Sequence, residues 1–311
     1  GISDAGMPAV ARLPELAKLV LENTTVDDEG LKQLAALKKL RSINLRRSNI
    51  TGEGLRHLPQ FPQLEELHLL FTNTTDAGLK HLAGMTRVRF MDLRGCPQVS
   101  NDGIAQLKDL TNLEQLKLRN PEIGDPALKY IGRMKKLKVL VLEDSVVTNG
   151  GLPQIADLTN VQELDLMRSV GIDDDGLPAL AGYKKLKKLT LRGLSMYGTA
   201  LDTFKDCQNL QYLDLSETLA KDVGLEKIQG ITSLVDLNLW HTRITNDGLK
   251  HLSGLKNLQS LNLEETAISD DGLPHLYSLK NLKTLKLKLT TVTADAVEKL
   301  KRQLPGVKVT M

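Results

Sequence analysis

The sequence predicts an α/β solenoid, a horseshoe-like stack of repeats with a concave parallel β-sheet and short helices on the convex side. Three observations carry that prediction. An apolar residue opens a unit at Leu13, Leu37, Phe61, Met85, Leu110, Met134, Leu158, Tyr183, Cys207, Ile231, Leu255 and Leu279, in steps of 24 or 25 residues. Every unit repeats the same spaced set of Leu and Ile, and such self-similarity outranks any local reading. The chain has 311 residues and is 41% hydrophobic but only 3% aromatic, so its core has to be built from aliphatic side chains.

Each part of the unit has a physical reading. From Leu255 to Tyr277 the chain reads LKNLQSLNLEETAISDDGLPHLY, and from Ile231 it reads ITSLVDLNLWHTRITNDGLKHLS. Leu258, Leu261 and Leu263 carry a short strand, with period-two alternation at the last two. Thr266 follows as a polar residue turned inward, expected to bond loop backbone in the neighbouring repeat. By counting, that column runs Thr24, Ser48, Thr72, Cys96, Pro121, Ser145, Ser169, Leu194, Thr218, Thr242, Thr266, Thr290. Ile268 enters the core, and Ser269 is the expected helix N-cap, with Asp270 and Asp271 favourably placed on the first turn. Gly272 keeps the helix close to its neighbour, a place taken by Ala at Ala127, Ala200 and Ala296. Leu273, Leu276 and Leu279 make one apolar face suited to a short helix. A buried Leu contributes about 1.5–3 kcal/mol, whereas ordering each residue costs about 1–2 kcal/mol in backbone entropy. One unit therefore cannot fold alone, and stacking must supply the difference.

The domain organisation follows. The chain is expected to be one repeat domain over 1–311, with a half repeat at 1–12, about twelve repeats at 13–303 and a capping strand at 304–311. The half repeat lacks its strand, so Met7, Val10 and Leu13 are expected at an incompletely covered core edge. Extra residues fall near Pro97 and Val170–Gly171, and the eighth and ninth repeats drift furthest from the pattern, with Leu194 at the inward polar position and Tyr197 and Lys221 at the caps.

The motif L-x-x-L-x-L-x-x-[TSC] followed by [IV]-[TSD]-[DN]-x-G-L-x-x-L resembles the leucine-rich repeats of the cysteine-containing, F-box-type class, and still more the large bacterial relatives that prefer Thr over Cys. The resemblance covers essentially the whole chain and implies protein–protein recognition. No F-box segment is visible within these residues, so they do not support a ubiquitin-ligase adaptor role.

Searching for chemistry leaves the sequence without an enzyme signature: no P-loop, H-E-x-x-H, paired C-x-x-C or G-x-S-x-G occurs. His57, His81, His251 and His275 share one repeat position as copies, and Asp173–Asp175 suits a helix N-terminus better than a calcium loop. No cofactor or metal is expected. Cys96 and Cys207 lie more than four repeats apart, about 20 Å at ~4.8 Å per strand, so two free thiols are expected. The net charge of +3 on 41 basic and 38 acidic residues gives no case for nucleic acid, and no apolar run is long enough to enter a membrane as a span.

Binding is the function class that remains. In the strand x-L-x-L-x the three x columns should face the concave side, with both charge signs interspersed. Two clusters stand out there. One combines Arg46, His68, Phe71, Arg94 and Arg119, with Arg47, Phe90 and Lys117 beside them; the other combines Arg192, Tyr212, Trp240 and His241. Arg, Tyr and Trp are the side chains enriched at interface hot spots. The sequence thus predicts a monomeric, non-catalytic module that binds a protein or peptide through its concave face, or else the recognition arm of a larger enzyme whose catalytic domain lies upstream.

Overall fold

The computed structural model describes residues 1–311, which fall into two compact units, Gly1–Val146 and Val147–Met311. The first unit holds strands β1 (Lys18–Val20), β2 (Ser42–Asn44), β3 (Glu66–His68), β4 (Phe90–Asp92), β5 (Gln115–Arg119) and β6 (Val139–Glu143). The second holds β7 (Glu163–Asp165), β8 (Lys188–Thr190), β9 (Tyr212–Asp214), β10 (Asp236–Asn238), β11 (Ser260–Asn262), β12 (Thr284–Lys286) and β13 (Lys308–Thr310). Within each unit the strands pair parallel in chain order, and like positions face like: Leu67 lies against Met91, and Leu237 against Leu261. This is the α/β leucine-rich-repeat solenoid architecture. Stacking puts the repeated Leu into continuous rows, and Leu45, Leu67, Leu69, Leu116, Leu239, Leu261 and Leu263 are fully buried.

The strands are short because the repeat ends them chemically. Asn44, Asp92, Asp165, Asp214, Asn238 and Asn262 each accept a hydrogen bond from the backbone N–H two residues on, at 2.9–3.2 Å. That Asx turn competes with a further strand residue. One residue later the chain enters the left-handed region, at φ +51° to +57° for Arg47, Phe71, Glu217 and His241 and at φ +70° and +71° for Gly95 and Gly193. The strain is offset by the ladder: the N–H of Phe71 donates to Arg94 O and that of Glu217 to Trp240 O in the following repeat.

Thr72, Thr242 and Thr266 follow, buried as expected, but each hydroxyl donates to its own repeat's strand carbonyl three residues back rather than to the neighbouring repeat. Bonds to the preceding repeat come instead from Cys96, whose thiol donates to Leu69 O, and from Asn120, whose amide reaches Cys96 O and Val99 O. Asn120, not the exposed Pro121, therefore fills the inward position of its repeat.

On the other side of the core run short helices. Where the repeat reads G-L-P, as in Asp174–Leu180 and Asp270–Leu276, the turn is 3-10, since Pro178 and Pro274 cannot donate to an α-helical ladder. Where it reads D-V-G-L-E, Asp222–Ile228 is α-helical. The acids of the first turn act between repeats. Asp28, Asp76, Asp222 and Asp270 each accept from both the backbone N–H and the hydroxyl of the cap residue in the next repeat, Thr51, Ser100, Thr245 and Thr293. The glycine of the motif makes room for this clamp, because a Cβ on Gly54 or Gly248 would overlap the carboxylate of Asp28 or Asp222. Ser269 takes part in the clamp rather than capping its own helix: its N–H donates to Asn246 Oδ1 and its hydroxyl accepts from Asn246 Nδ2. In the acidic run, Asp173 caps Asp175 N–H, while buried Asp174 reaches Tyr197 N–H and Ala200 N–H one repeat on.

At the N-terminus, Asp4 accepts from Asp27 N–H and so joins the half repeat to the clamp series. That explains a difference from the sequence expectation: Met7 is fully covered, Val10 is half-buried, and Leu13 alone of the three is open, at 54% exposure. At the other end the helix Ala294–Gln303 is capped by the Thr293 hydroxyl and leads into β13. Both thiols are buried, and burial raises the Cys96 thiol above its usual value and pushes Cys207 up to about 11.

Candidate functional site

The open face of the sheet is less uniform than three exposed columns. Val141, Asp92, Thr190, Asp214 and Ser216 lie in those columns yet are buried. The cause is local. Asx side chains fold back onto the strand exit, and long or aromatic side chains from neighbouring repeats cover the short ones. Lys18, Val20, Glu66, Lys286 and Lys288 are exposed on that face, and Arg192, Tyr212 and Trp240 are half-buried.

In the first unit, Arg46, Arg94 and Arg119 follow Leu45, Leu93 and Leu118 at the strand exits, so the same register brings them to one side of the sheet. With Leu70, Phe71 and Glu143 they line a hollow of about 290 Å³. Each guanidinium is oriented by an acid: Arg46 Nη1 by Glu22 at 2.9 Å, Arg119 Nε by Asp144 at 2.6 Å, and Arg94 by Asp92 through paired contacts of 3.0 and 2.9 Å. Hydrogen bonding to Asp92 raises the Arg94 pKa further. Phe71 is 43% exposed, its ring lying over Gly95 with the Arg47 guanidinium 5.1 Å from its centroid. Gly95 is thus required twice, by its left-handed backbone and by the ring above it. His68 is not part of the hollow. Its ring stacks on Phe90 with centroids 4.4 Å apart, and burial lowers its pKa.

In the second unit, the Arg192 guanidinium lies 5.2 Å from the centre of the Trp240 ring and its Nε donates to Glu217 at 2.6 Å. It reaches two repeats along the sheet and passes the buried Ser216 of the repeat between. The same bond holds the Glu217 carboxyl below its usual range. His241 completes the group, its ring centroid 6.1 Å from that of Trp240 and its Nδ1 2.9 Å from Glu265 Oε2. Tyr212 lies apart from that stack: its hydroxyl donates to Asp214 at 3.2 Å under Lys188, and burial raises its pKa well above the ordinary tyrosine value. Burial likewise raises Asp236 on the adjoining strand.

Sequence reasoning missed the partners Asp144, Glu217 and Glu265, which belong to the left-handed column after the strand. The signal was present in Gly95 and Gly193, two glycines recurring at that one position. A larger hollow of about 380 Å³, lined by Pro59, Phe61, His81 and Met85 among others, includes no residue of the two clusters expected to bind. No group of three or more His, Cys, Asp or Glu side chains gathers to hold a metal ion, and no helix is long and apolar enough to cross a membrane.

Comparison with known proteins agrees with this architecture. Two family models described as leucine rich repeat match, one at 184–244 and the other at 36–58, 157–181 and 254–273. No curated protein matches the sequence. Among solved structures, an internalin of Listeria monocytogenes superimposes with a TM-score of 0.72 at 21% identity, over 99% of this chain and 93% of that one. A leucine-rich-repeat protein of Leptospira interrogans gives 0.57 at 19% identity, over 97% and 91%. The mouse RP105/MD-1 complex contains a chain giving 0.70 at 18% identity, over 99% of this chain and 56% of that one.

Proposed function

From the premise that this chain is a leucine-rich-repeat solenoid, a fold that commonly mediates protein–protein interaction, we propose that it is a non-catalytic module that binds a protein or peptide partner on the open face of its sheet. The observation that supports this reading is the Arg192–Trp240–His241 group. Trp240 is the only tryptophan of the chain, it lies outside the Leu rows, and it is held by a guanidinium that is itself fixed by Glu217. A pre-positioned Trp beside Arg offers a partner large contact area at small entropic cost. The polar groups around it are engaged in ion pairs, and the His241 imidazole faces a carboxylate rather than a hydroxyl or thiol it could activate. One solved neighbour is part of a complex of two proteins, RP105 and MD-1, which makes a protein ligand the natural class to test.

The test is affinity capture from the source organism with the immobilised chain, followed by measurement of the identified partner. Trp240→Ala is expected to weaken binding by more than about 2 kcal/mol, roughly thirtyfold, the threshold of a hot spot. Its melting temperature should hardly change, because the stack it loses is worth about 0.5–1 kcal/mol. His275→Ala, on the helix side, should bind as the wild type does. Unaltered affinity in Trp240→Ala, or a large loss of stability, would remove Trp240 from the site.

A further inference from the structure

The hollow in the first unit is specific enough to name what it takes. Arginines from the exits of β2, β4 and β5, with Leu70 at the exit of β3 between them, line it together with a single acid, Glu143. The acids that orient them, Glu22, Asp92 and Asp144, are not among its lining residues, so the groups that line the hollow are three guanidiniums and one carboxylate. Their hydrogen-bonding capacity is only partly used. Arg46 spends Nη1 on Glu22, and its Nε is shielded from solvent with no acceptor. Arg119 spends Nε on Asp144, which leaves both of its terminal nitrogens without a protein acceptor. Arg94, by contrast, is committed to Asp92 through two nitrogens and approaches Glu143 with its third, at 3.5 Å.

A buried N–H without an acceptor costs about 1–3 kcal/mol, which an incoming oxyanion would recover. Planar guanidinium forks match carboxylate and phosphate oxygens pairwise. Two features separate those anions. Glu143 repels a dianion more strongly than a monoanion at the same distance. Leu70 and Phe71 give the hollow an apolar wall, with Phe71 43% exposed, and that wall suits the aliphatic part of an amino-acid side chain.

We propose that the hollow formed by Arg46, Arg94, Arg119 and Phe71 is a subsite for a carboxylate carried by an acidic peptide segment of the partner. Arg119, whose terminal nitrogens are unspent, takes the carboxylate oxygens, Arg46 and Arg94 supply fixed positive potential beside it, and Leu70 and Phe71 cover the stem. The assignment deepens the binding-face reading above and rests on it.

The probes are hexaglutamate and inorganic phosphate, each titrated at constant ionic strength into the full chain while the arginine Nε–Hε resonances are followed by NMR. Hexaglutamate is expected to shift the Arg46 and Arg119 resonances saturably and to leave Arg192 in place. The Arg46→Gln/Arg119→Gln pair should weaken that binding at least tenfold, whereas Arg192→Gln should not change it. Retained stability of the pair, checked by thermal unfolding, is expected because both side chains lie outside the core; should the pair unfold, Phe71→Ala serves in its place and should weaken binding severalfold. The proposal is overturned if hexaglutamate does not bind saturably, if it binds the variants undiminished, or if phosphate occupies the arginines more tightly than the peptide does. These outcomes are separable from the fate of the binding-face reading. Partner capture that depends on Trp240 while hexaglutamate fails would discard the carboxylate subsite alone, and a partner indifferent to every sheet-face substitution would discard both.

Discussion

Asn120 shows how closely a single side chain can be tied to the register of a repeat. Its amide donates to two carbonyls of the preceding loop, Cys96 O at 2.8 Å and Val99 O at 2.7 Å, and its oxygen accepts from Glu122 N–H. All three bonds are lost in Asn120→Ala, which is expected to cost about 1–3 kcal/mol because buried polar groups are left unpaired. Pro121→Ala, one residue on and exposed, should stay within about 0.5 kcal/mol of wild type. Urea unfolding of the two variants makes the comparison, and equal midpoints would refute the assignment. Counting along the sequence favoured Pro121, since periodicity locates an inserted residue only to within a neighbour or two. Trp240 was legible for a different reason: alternation around Leu239 shows which side of the strand a residue leaves from. That Arg192 would arrive from two repeats away, and Tyr212 would turn to Asp214 instead, depends on side-chain rotamers that no spacing encodes.

At the level of elements, the leucine rows, the parallel strands and the short helices could all be read from spacing, because burial imposes the period directly. The devices that end and join the elements could not. First-turn acids suit a helix N-terminus by composition alone, and the same acids turn out to fasten each repeat to the next. The two roles demand the same residue type, so sequence cannot choose between them. Acidity can. The N–H and hydroxyl of Thr293 hold the Asp270 carboxyl below its usual range. A carboxylate whose pKa is depressed by folding adds stability above its unfolded pKa, and that contribution is lost as pH falls through the depressed value. Asp270→Ala should therefore lower the melting temperature at neutral pH, and the gap from wild type should close as the solution is acidified below that value. A gap independent of pH would mean that the carboxylate's charge plays no part in the clamp.

For the molecule as a whole, the clamp has a consequence that concerns how many repeats there are rather than how any one is held. Its acceptor always sits in one repeat and its donors in the next, and the chemistry of both halves recurs: Asp222 holds the N–H and hydroxyl of Thr245, as Asp270 holds those of Thr293. Cutting out 245–268, one full period, would join Ile244 to Ser269 and present Asp222 with another N–H and another hydroxyl. Such a chain should express, keep its circular-dichroism signature and unfold cooperatively, whereas removal of 247–268, which breaks the period, should not fold. No partner is orphaned at either end of an in-register exchange, so a gene for this protein can lengthen or shorten by whole copies without a compensating substitution. Copy number is a quantity that recombination can change in one step, and with it the extent of surface on offer to a partner.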